Sequence, residues 1–341
     1  MIPDRARLIV LIVSYGNPDD VNRCLRSLGA SSCKDFEVFI CENAGPEAYG
    51  KLLSVVAGAG GTLEQTLDSA DALDCPSKRI TTVTKCRFRN QTNTVHIGLA
   101  TENFGYGGGL NVWLERLLAS SGWDAVLVLN PDTEVDENCL SELMFTAREG
   151  YGMVGGTLVF DEAPNKIISY GLKWSPITGR VIAIGRDAPA GSSPSAKTLL
   201  SIDAISGACV LVTRAFVEDV GLMAEDYFLY MEDLDWGRRR GRHRIGFADK
   251  AVVRHIGGTT IGSAVDLGQR SPLSIYLSAR NSILYARRFA GWRWPLHLAV
   301  GIAFAVRYLF KGFPIAAKTT LAGLIDGIKG KSGRPDLSPG V

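Results

Sequence analysis

Residues 226–242 read DYFLYMEDLDWGRRRGR, which sets Glu232, Asp233 and Asp235 directly behind an aromatic run and ahead of Arg238, Arg239, Arg240, Arg242 and Arg244. Carboxylates among apolar residues are costly unless a cation, a substrate proton or a guanidinium compensates them. Two chemistries fit the stretch: a general base in a site, or a solvated helix start whose acids pair with arginines four residues on. LNPDT (129–133) offers a second carboxylate, Asp132, fixed by Pro131 at the end of an apolar run. One carboxylate with phosphate oxygens suits a hard divalent ion, and an Asp/Pro turn capping the next helix uses the same residues. His255, in VVRHIGG, ends another apolar run. It can complete a metal site with Asp132 or serve as a structural histidine. GYGGGLN (105–111) opens a helix after a strand, with glycines at 105, 107, 108 and 109. That is not the GxGxxG frame of a dinucleotide site, and Asp124, about 20 residues on, precedes a strand instead of ending one. The glycines let a backbone approach a diphosphate at the helix start, or make a tight packed turn.

These residues need a scaffold, and the first 150 residues supply the pattern of a parallel sheet. RLIVLIVSYG (7–16) is a continuous apolar run; NPDDVNRCLRSLGAS then repeats Val21, Leu25 and Leu28 at helical spacing; FEVFICENAG (36–45) is a second strand. Together they form a β-α-β unit. Residues 50–75 carry helix-like and Gly-rich pieces, and 79–93 are polar and basic without a clear period. TVHIGLATEN (94–103) and AVLVLNPDTEVD (125–136) resume as strands. In an open parallel sheet, ligands bind at the carboxyl ends of strands, so Ser14 to Asn17, Glu42 to Ala44, Asn103 to Asn111 and Asn130 to Asp132 share one rim. Beyond residue 155 the short runs GTLVFDE, KIISYGLKW and GRVIAIGRD read as strands, 187–198 as a loop, and SGACVLVTRAFVEDVG (206–221) as a strand turning into a capped helix. No internal repeat is visible.

The totals narrow the class. A chain of 341 residues, 46% hydrophobic, holds a large α/β domain with an appendage, and a net charge of +2 excludes a molecule built around nucleic acid. Seven scattered cysteines with no CxxC pair support neither a zinc site nor a disulfide framework, which points to a reducing compartment. LIVLIV (8–13) is too short for a signal peptide and reads as a buried strand. In WRWPLHLAVGIAFAVRYLFKGFPIAAKTTLAGLIDGIKGK (292–331) the apolar run between His297 and Arg307 is too short to span a bilayer. Its aromatic, Lys and Arg residues favour a position in the headgroup region; the alternative is a helical pair packed on the rest of the chain or on a second subunit.

The motifs IVSYGN, ENAG, ENFGYGGGLN, LNPDT, SGACVLVTRAFVEDVG, FLYMEDLDWGRR, VVRHIGG and YLSARNSILYARR occur in this order over roughly residues 7–290. In them the chain resembles the inverting family 2 glycosyltransferases of the GT-A fold, in the rhamnosyltransferase-like and galactofuranosyltransferase-like branch. The resemblance implies an α/β, Rossmann-like, mostly parallel sheet flanked by helices, with a C-terminal helical appendage. It implies a catalytic domain over 1–290, divided into a nucleotide-binding half (about 1–135) and an acceptor half (about 136–290), followed by a basic, apolar helical region at 291–341. By the same resemblance Asp132 coordinates Mg²⁺ or Mn²⁺ on the donor diphosphate, in a DxD equivalent whose first position is Asn130, and His255 adds a metal ligand. Asp233 is the catalytic base with Glu232 beside it; Asp235 and Trp236 shape the acceptor pocket. Glu42 stands where relatives have Asp near the nucleotide base. Ser14, Tyr15, Asn103, Tyr106, Gly107, Gly108 and Asn111 line the donor, and Arg280, next to Asn281, neutralises the leaving phosphate.

The implied reaction moves a sugar, first choice rhamnose from its deoxythymidine-diphosphate donor, to a glycan or lipid-linked glycan at the cytoplasmic face of a membrane. Galactofuranose, galactose or glucose from uridine-diphosphate donors are the alternatives, and oligomers are compatible with the reading. Two rivals are an NAD-dependent oxidoreductase, which lacks the glycine frame, and a non-catalytic membrane-associated scaffold, which has no use for the acidic and histidine set.

Overall fold

The computed structural model describes residues 7–66, 77–256 and 270–335. The end of the 50–75 stretch, and Gly257 and Gly258 of VVRHIGG, lie outside the described residues. In chain order the first part contains β1 (Leu8–Ser14), α1 (Pro18–Gly29), β2 (Phe36–Glu42), α2 (Pro46–Val56), β3 (Leu63–Gln65), β4 (Ile80–Phe88), β5 (Thr94–Ala100), α3 (Gly105–Leu118), β6 (Ala125–Leu129) and β7 (Thr133–Val135). The second part contains α4 (Cys139–Arg148), β8 (Met153–Phe160), β9 (Ile167–Ser169), β10 (Gly171–Trp174), β11 (Val181–Ile184), α5 (Ala196–Leu200), β12 (Cys209–Thr213), α6 (Arg214–Val220), α7 (Glu232–Arg238) and β13 (Ile245–His255). Three helices follow: α8 (Pro272–Phe289), α9 (Trp294–Phe310) and α10 (Pro314–Ile328).

Strand β1 lies inside the sheet, between β2 and β6 and parallel to both. Its even residues Leu8, Val10 and Ile12 enter one core and its odd residues Ile9, Leu11 and Val13 the other. A strand covered on both faces has no polar side, which is why LIVLIV reads as one uninterrupted run. Each such side chain contributes roughly 1.5–3 kcal/mol on burial. Helix α1 begins with Pro18 and has Asp19 and Asp20 in its first turn, both favourable at a helix start, and it buries Val21, Leu25 and Leu28 as the spacing predicts.

The main sheet runs β3-β4-β5-β2-β1-β6-β12-β8-β13-β7, with β9 beside β8. Its first half, β5-β2-β1-β6, is parallel as the sequence pattern predicts. The second half joins it through antiparallel β12, which pairs with both β6 and β8. The polar stretch 79–93 contains β4, antiparallel to β5 and near the sheet edge, where half-exposed side chains leave no hydrophobic period to read. β13 runs parallel to β8 and antiparallel to β7, with His255 opposite Thr133. This register brings the end of VVRH to the NPD turn.

At the carboxyl end, α9 and α10 pack on α8. A Cβ at Gly323 would come within 2.5 Å of the Tyr276 carbonyl, and one at Gly327 within 2.7 Å of the Arg280 carbonyl, so glycine permits this close approach. Among the described residues no helix is long and apolar enough to cross a membrane. The appendage is thus a helical pair packed on the chain. Its outer side stays apolar: of eighteen exposed large hydrophobic residues described, twelve lie between Trp292 and Ile328.

Candidate active site

A cleft of about 420 Å³ opens where β1, β6 and the start of α7 converge, and Tyr15, Tyr106, Asn130, Asp132, Glu232, Asp233 and His255 all line it. Tyr15 and Asn130, 115 residues apart in sequence, meet because their strands are neighbours in the sheet. Asp132 ends the NPD turn, and its carbonyl accepts from the Ile256 amide at 3.0 Å, tying the turn to the end of β13. The Asp132 Oδ1 to His255 Nε2 separation is 3.3 Å, with the side chains 14% and 20% exposed. Asp132 Oδ1, Asn130 Oδ1 and Glu232 Oε2 are buried acceptors without a hydrogen-bond partner in the structure. Three unsatisfied acceptors around one cleft ask for a cation or donor groups brought by a ligand.

Asp233 is oriented by two backbone amides: Leu234 N donates to Oδ1 at 2.7 Å and Gly207 N to Oδ2 at 3.0 Å. Burial raises its pKa above the ordinary carboxylate value, partly opposed by these donors. Glu232 is pushed up to about 8, first by burial and then by the adjacent Asp233 charge. Burial thus favours the neutral form of both carboxyls, and the adjacent charge adds to this at Glu232. The Tyr106 hydroxyl donates to the Gly207 carbonyl at 2.6 Å, and burial together with Glu232, Asp233 and Asp132 holds its pKa well above the ordinary phenol value.

The segment that delivers these acids is strained. Phe228, Tyr230 and Met231 have φ of 63°, 71° and 82°, a left-handed region that costs non-glycine residues roughly 1–2 kcal/mol each. Asn281 on α8 restrains it: its Nδ2 donates to the carbonyls of Tyr227, Leu229 and Tyr230 at 2.9, 2.8 and 3.1 Å. Arg280, 1% exposed, donates to Tyr227 O at 2.9 Å and Gly333 O at 2.8 Å. Arg280 is thus a brace of this loop and not a phosphate ligand at the cleft; α8 turns it inward, where carbonyls satisfy it.

Other predicted residues also stand behind the cleft. Asp235, fully buried, accepts from Tyr227 and pairs with Arg239 at 2.5 Å and Arg288 at 3.0 Å, so it does not shape an acceptor pocket. Trp236 is fully buried, donating to Gly221 O at 2.8 Å and lying edge-on to Phe216. Neither residue lines the cleft. The arginines that follow serve core and surface acids: Arg238 pairs with Asp203 and Arg242 with Asp219, and neither pairs with Glu232 or Asp233. Glu42 is buried and accepts from Ser14 Oγ at 2.6 Å and the Gly16 and Ala44 amides at 3.2 and 2.8 Å, which shapes the β1 and β2 ends from behind. Asn111 is buried in a two-way bond with the Met223 backbone and a bond to Glu225. Gly107 and Gly108 are buried too; a Cβ on Gly108 would come within 2.7 Å of Phe104 and one on Gly107 within 3.1 Å of the Ala224 carbonyl. These glycines seat α3 against protein, where the packed-turn reading had placed them.

A smaller adjoining pocket of about 290 Å³ shares Tyr15 with the cleft and adds Asn43, Thr81, Thr101, Asn103 and Arg334. It lies at the ends of β1, β2 and β5. Arg334 has no sequence signal as a site residue: it arrives from beyond α10 because the Gly333 backbone bonds Asp226 O and Arg280. Asn43 was legible only as part of the ENAG strand end.

The chain aligns with the low-salt glycan biosynthesis hexosyltransferase Agl10 of Haloferax volcanii at 24% identity over 243 residues, 69% of this chain and 76% of that protein. It aligns with the N-acetylglucosaminyl-diphospho-decaprenol L-rhamnosyltransferase of Mycobacterium tuberculosis at 29% identity over 228 residues, 60% of this chain and 71% of that protein. Among solved structures, residues 1–349 of S. aureus TarS superpose with a TM-score of 0.50 at 14% identity, covering 95% of this chain and 81% of that one. The chain has the GT-A fold and is similar to glycosyltransferases of glycan synthesis. No protein-family model matches it. As a glycosyltransferase it has rhamnosyltransferase-like relatives, and its cleft stands at the sheet rim where the strand-end motifs predict a site.

Proposed function

We propose that this glycosyltransferase inverts the anomeric centre while moving a sugar, first choice rhamnose from a deoxythymidine-diphosphate donor, to a hydroxyl of a glycan or lipid-linked glycan. The observation that carries the reading is the pair Glu232 and Asp233 in the cleft, with the two Asp233 oxygens fixed by backbone amides. Asp233 takes the acceptor hydroxyl proton as that oxygen bonds the anomeric carbon, and the bond from this carbon to the donor phosphate oxygen breaks on the opposite face. Neutral Glu232 keeps a second negative charge away from the base. The nucleotide belongs in the pocket of Tyr15, Asn43, Asn103 and Arg334, which places its diphosphate toward Asn130 and Asp132.

Asp132 and His255 fit a divalent ion, Mg²⁺ or Mn²⁺. They present one carboxylate oxygen without a hydrogen bond and one imidazole, and the rest of the coordination falls to donor phosphate oxygens. Among the described residues no cluster of three or more such ligands exists. Bound at Asp132 and His255, the ion supplies positive charge for the departing diphosphate. The division into a nucleotide half, an acceptor half and a C-terminal region follows the same assignment, and the apolar outer side of α9 and α10 favours contact with a membrane surface at its cytoplasmic face.

A thermal-shift series of sugar nucleotides with and without Mn²⁺, on wild type and Asp132→Ala, tests the donor site. A metal-dependent rise in melting temperature that the variant loses is the expected result. Equal stabilisation of both proteins removes Asp132 from the donor site, and a response to a nicotinamide cofactor alone removes the reading.

A further inference from the structure

The catalytic cleft shares Val181, Tyr230 and Met231 with a second chamber of about 500 Å³. Its walls come from the β10–β11 turn, the segment opening α8, and α9, all outside the sheet rim where the nucleotide is assigned. Two surfaces meet in it. One is apolar: Ile275, Ala279, Val300 and Phe304. The other is cationic: Arg180, next to the shared Val181, and Arg270.

Arg270 stands at the junction of the two spaces. Its Nη2 donates to Ser274 Oγ at 3.1 Å and Ser278 Oγ at 2.8 Å, and the Tyr230 hydroxyl donates to the same Ser274 Oγ at 3.2 Å. Tyr230 is two residues from Glu232. Among the described residues no carboxylate pairs with Arg180 or Arg270. Two guanidiniums with no carboxylate partner among the described residues, beside a hydrocarbon wall, suit an amphiphile with a phosphate-bearing head. The wall also continues outward: Phe304 lines the chamber yet is 37% exposed, and Ile302, Val306, Leu309 and Phe310 extend the exposed apolar surface of α9. Residues 291–335 carry seven Lys or Arg and one acid, Asp326, as a face at anionic headgroups requires.

We propose that this chamber is the port for a lipid-linked acceptor. Arg180 and Arg270 hold its diphosphate, its hydrocarbon chain leaves past Phe304 to the bilayer, and its sugar reaches Asp233 through the opening at Val181, Tyr230 and Met231. The inference rests on the glycosyltransferase reading for the sugar end alone; the diphosphate and chain are recognised by the chamber itself.

Co-sedimentation of the full chain with phosphatidylcholine vesicles tests it, the vesicles carrying either a polyprenyl diphosphate or phosphatidylglycerol at matched charge. Wild type is expected to prefer the polyprenyl diphosphate by about tenfold or more, the yield of one or two charge-assisted hydrogen bonds. Arg180→Ala/Arg270→Ala is expected to lose that preference and keep its binding to phosphatidylglycerol. Should the double variant fail to fold, Arg180→Ala alone, at an exposed position, carries the test. Equal binding of wild type to both vesicles overturns the proposal, as does a preference retained in the variants. Competition by soluble inorganic diphosphate as effective as the lipid overturns its lipid part. Sugar-nucleotide thermal shifts on the same preparations keep the two readings apart: no response in wild type sinks the donor assignment and leaves the vesicle preference to stand or fall by itself.

Discussion

The two faces of α7 hold carboxylates under opposite electrostatics. Asp235 faces the core, accepts from Tyr227 and meets Arg239 and Arg288, so its charge is compensated three times over. Glu232 and Asp233 face the cleft, where backbone amides are the donors to Asp233, Glu232 Oε2 has no partner, and both pKa values are raised. Three acids within four residues thus divide into a structural anchor and two uncompensated carboxyls at the cleft. Asp233 and Asp235, two residues apart, point about 200° apart around the helix, and Glu232, in the first turn, borders the cleft. Compensation marks an acid that holds the fold; its absence in a buried place marks an acid waiting for a ligand.

Breaking the cleft side has the largest expected effect. Asp233→Asn keeps the shape and the Leu234 contact but cannot take a proton, so turnover should fall by roughly 10²–10⁴ with sugar-nucleotide binding kept. A variant that transfers sugar at wild-type rate means the base lies elsewhere. On the core side, Asp235→Ala should cost on the order of 3 kcal/mol in urea unfolding, because Arg239 and Arg288 lose their shared partner. If instead Asp235→Ala unfolds like wild type, the contrast between the faces has no energetic content.

Asn281 tests the contrast through the backbone. It holds three carbonyls of the left-handed segment that aims Glu232 and Asp233, without touching the cleft. Asn281→Ala should lower kcat by about 10-fold to 100-fold, as misplacement of a reacting group does, and leave KM for the donor little changed. A loss confined to KM would place Asn281 in binding instead of positioning.

The sequence made the parallel half of the sheet legible because β1, β2 and β6 are buried on both faces, and a double burial leaves an unmistakable apolar run. β4 was not legible, since a half-exposed strand near an edge carries polar residues on one side and no clean alternation. For the site, Asp132, His255, Glu232 and Asp233 were found by residue type and Tyr106 by the family resemblance, and all five line one cleft. Asp235, Trp236, Glu42, Asn111 and Arg280 share the same motifs but support the site from behind, because a motif records neighbours in sequence and not the side of an element a residue occupies. Arg334 was invisible: what brings it to the smaller pocket is the grip of Arg280 on Gly333, a contact across 53 residues.

The smallest effect comes from Glu232, and it reads the cleft electrostatics most directly. Its folded pKa of about 8 lies above the ordinary 4.5, so between these pH values the folded chain binds a proton that the unfolded chain has released. Stability from this group is therefore complete at low pH and is lost as pH rises through the folded pKa, with a slope of at most about 1.4 kcal/mol per pH unit. In the absence of divalent ions, the urea midpoint of wild type should fall as pH is raised from about 6 to about 8, and Glu232→Gln, which has no proton to lose, should flatten that slope. Added Mn²⁺ should leave the difference between the two proteins in place if the ion sits on Asp132 and His255, because it would then not replace the proton on Glu232. An identical slope in both proteins would mean that Glu232 is already charged at neutral pH, and that the cleft holds two negative charges which only a cation among them can make tolerable.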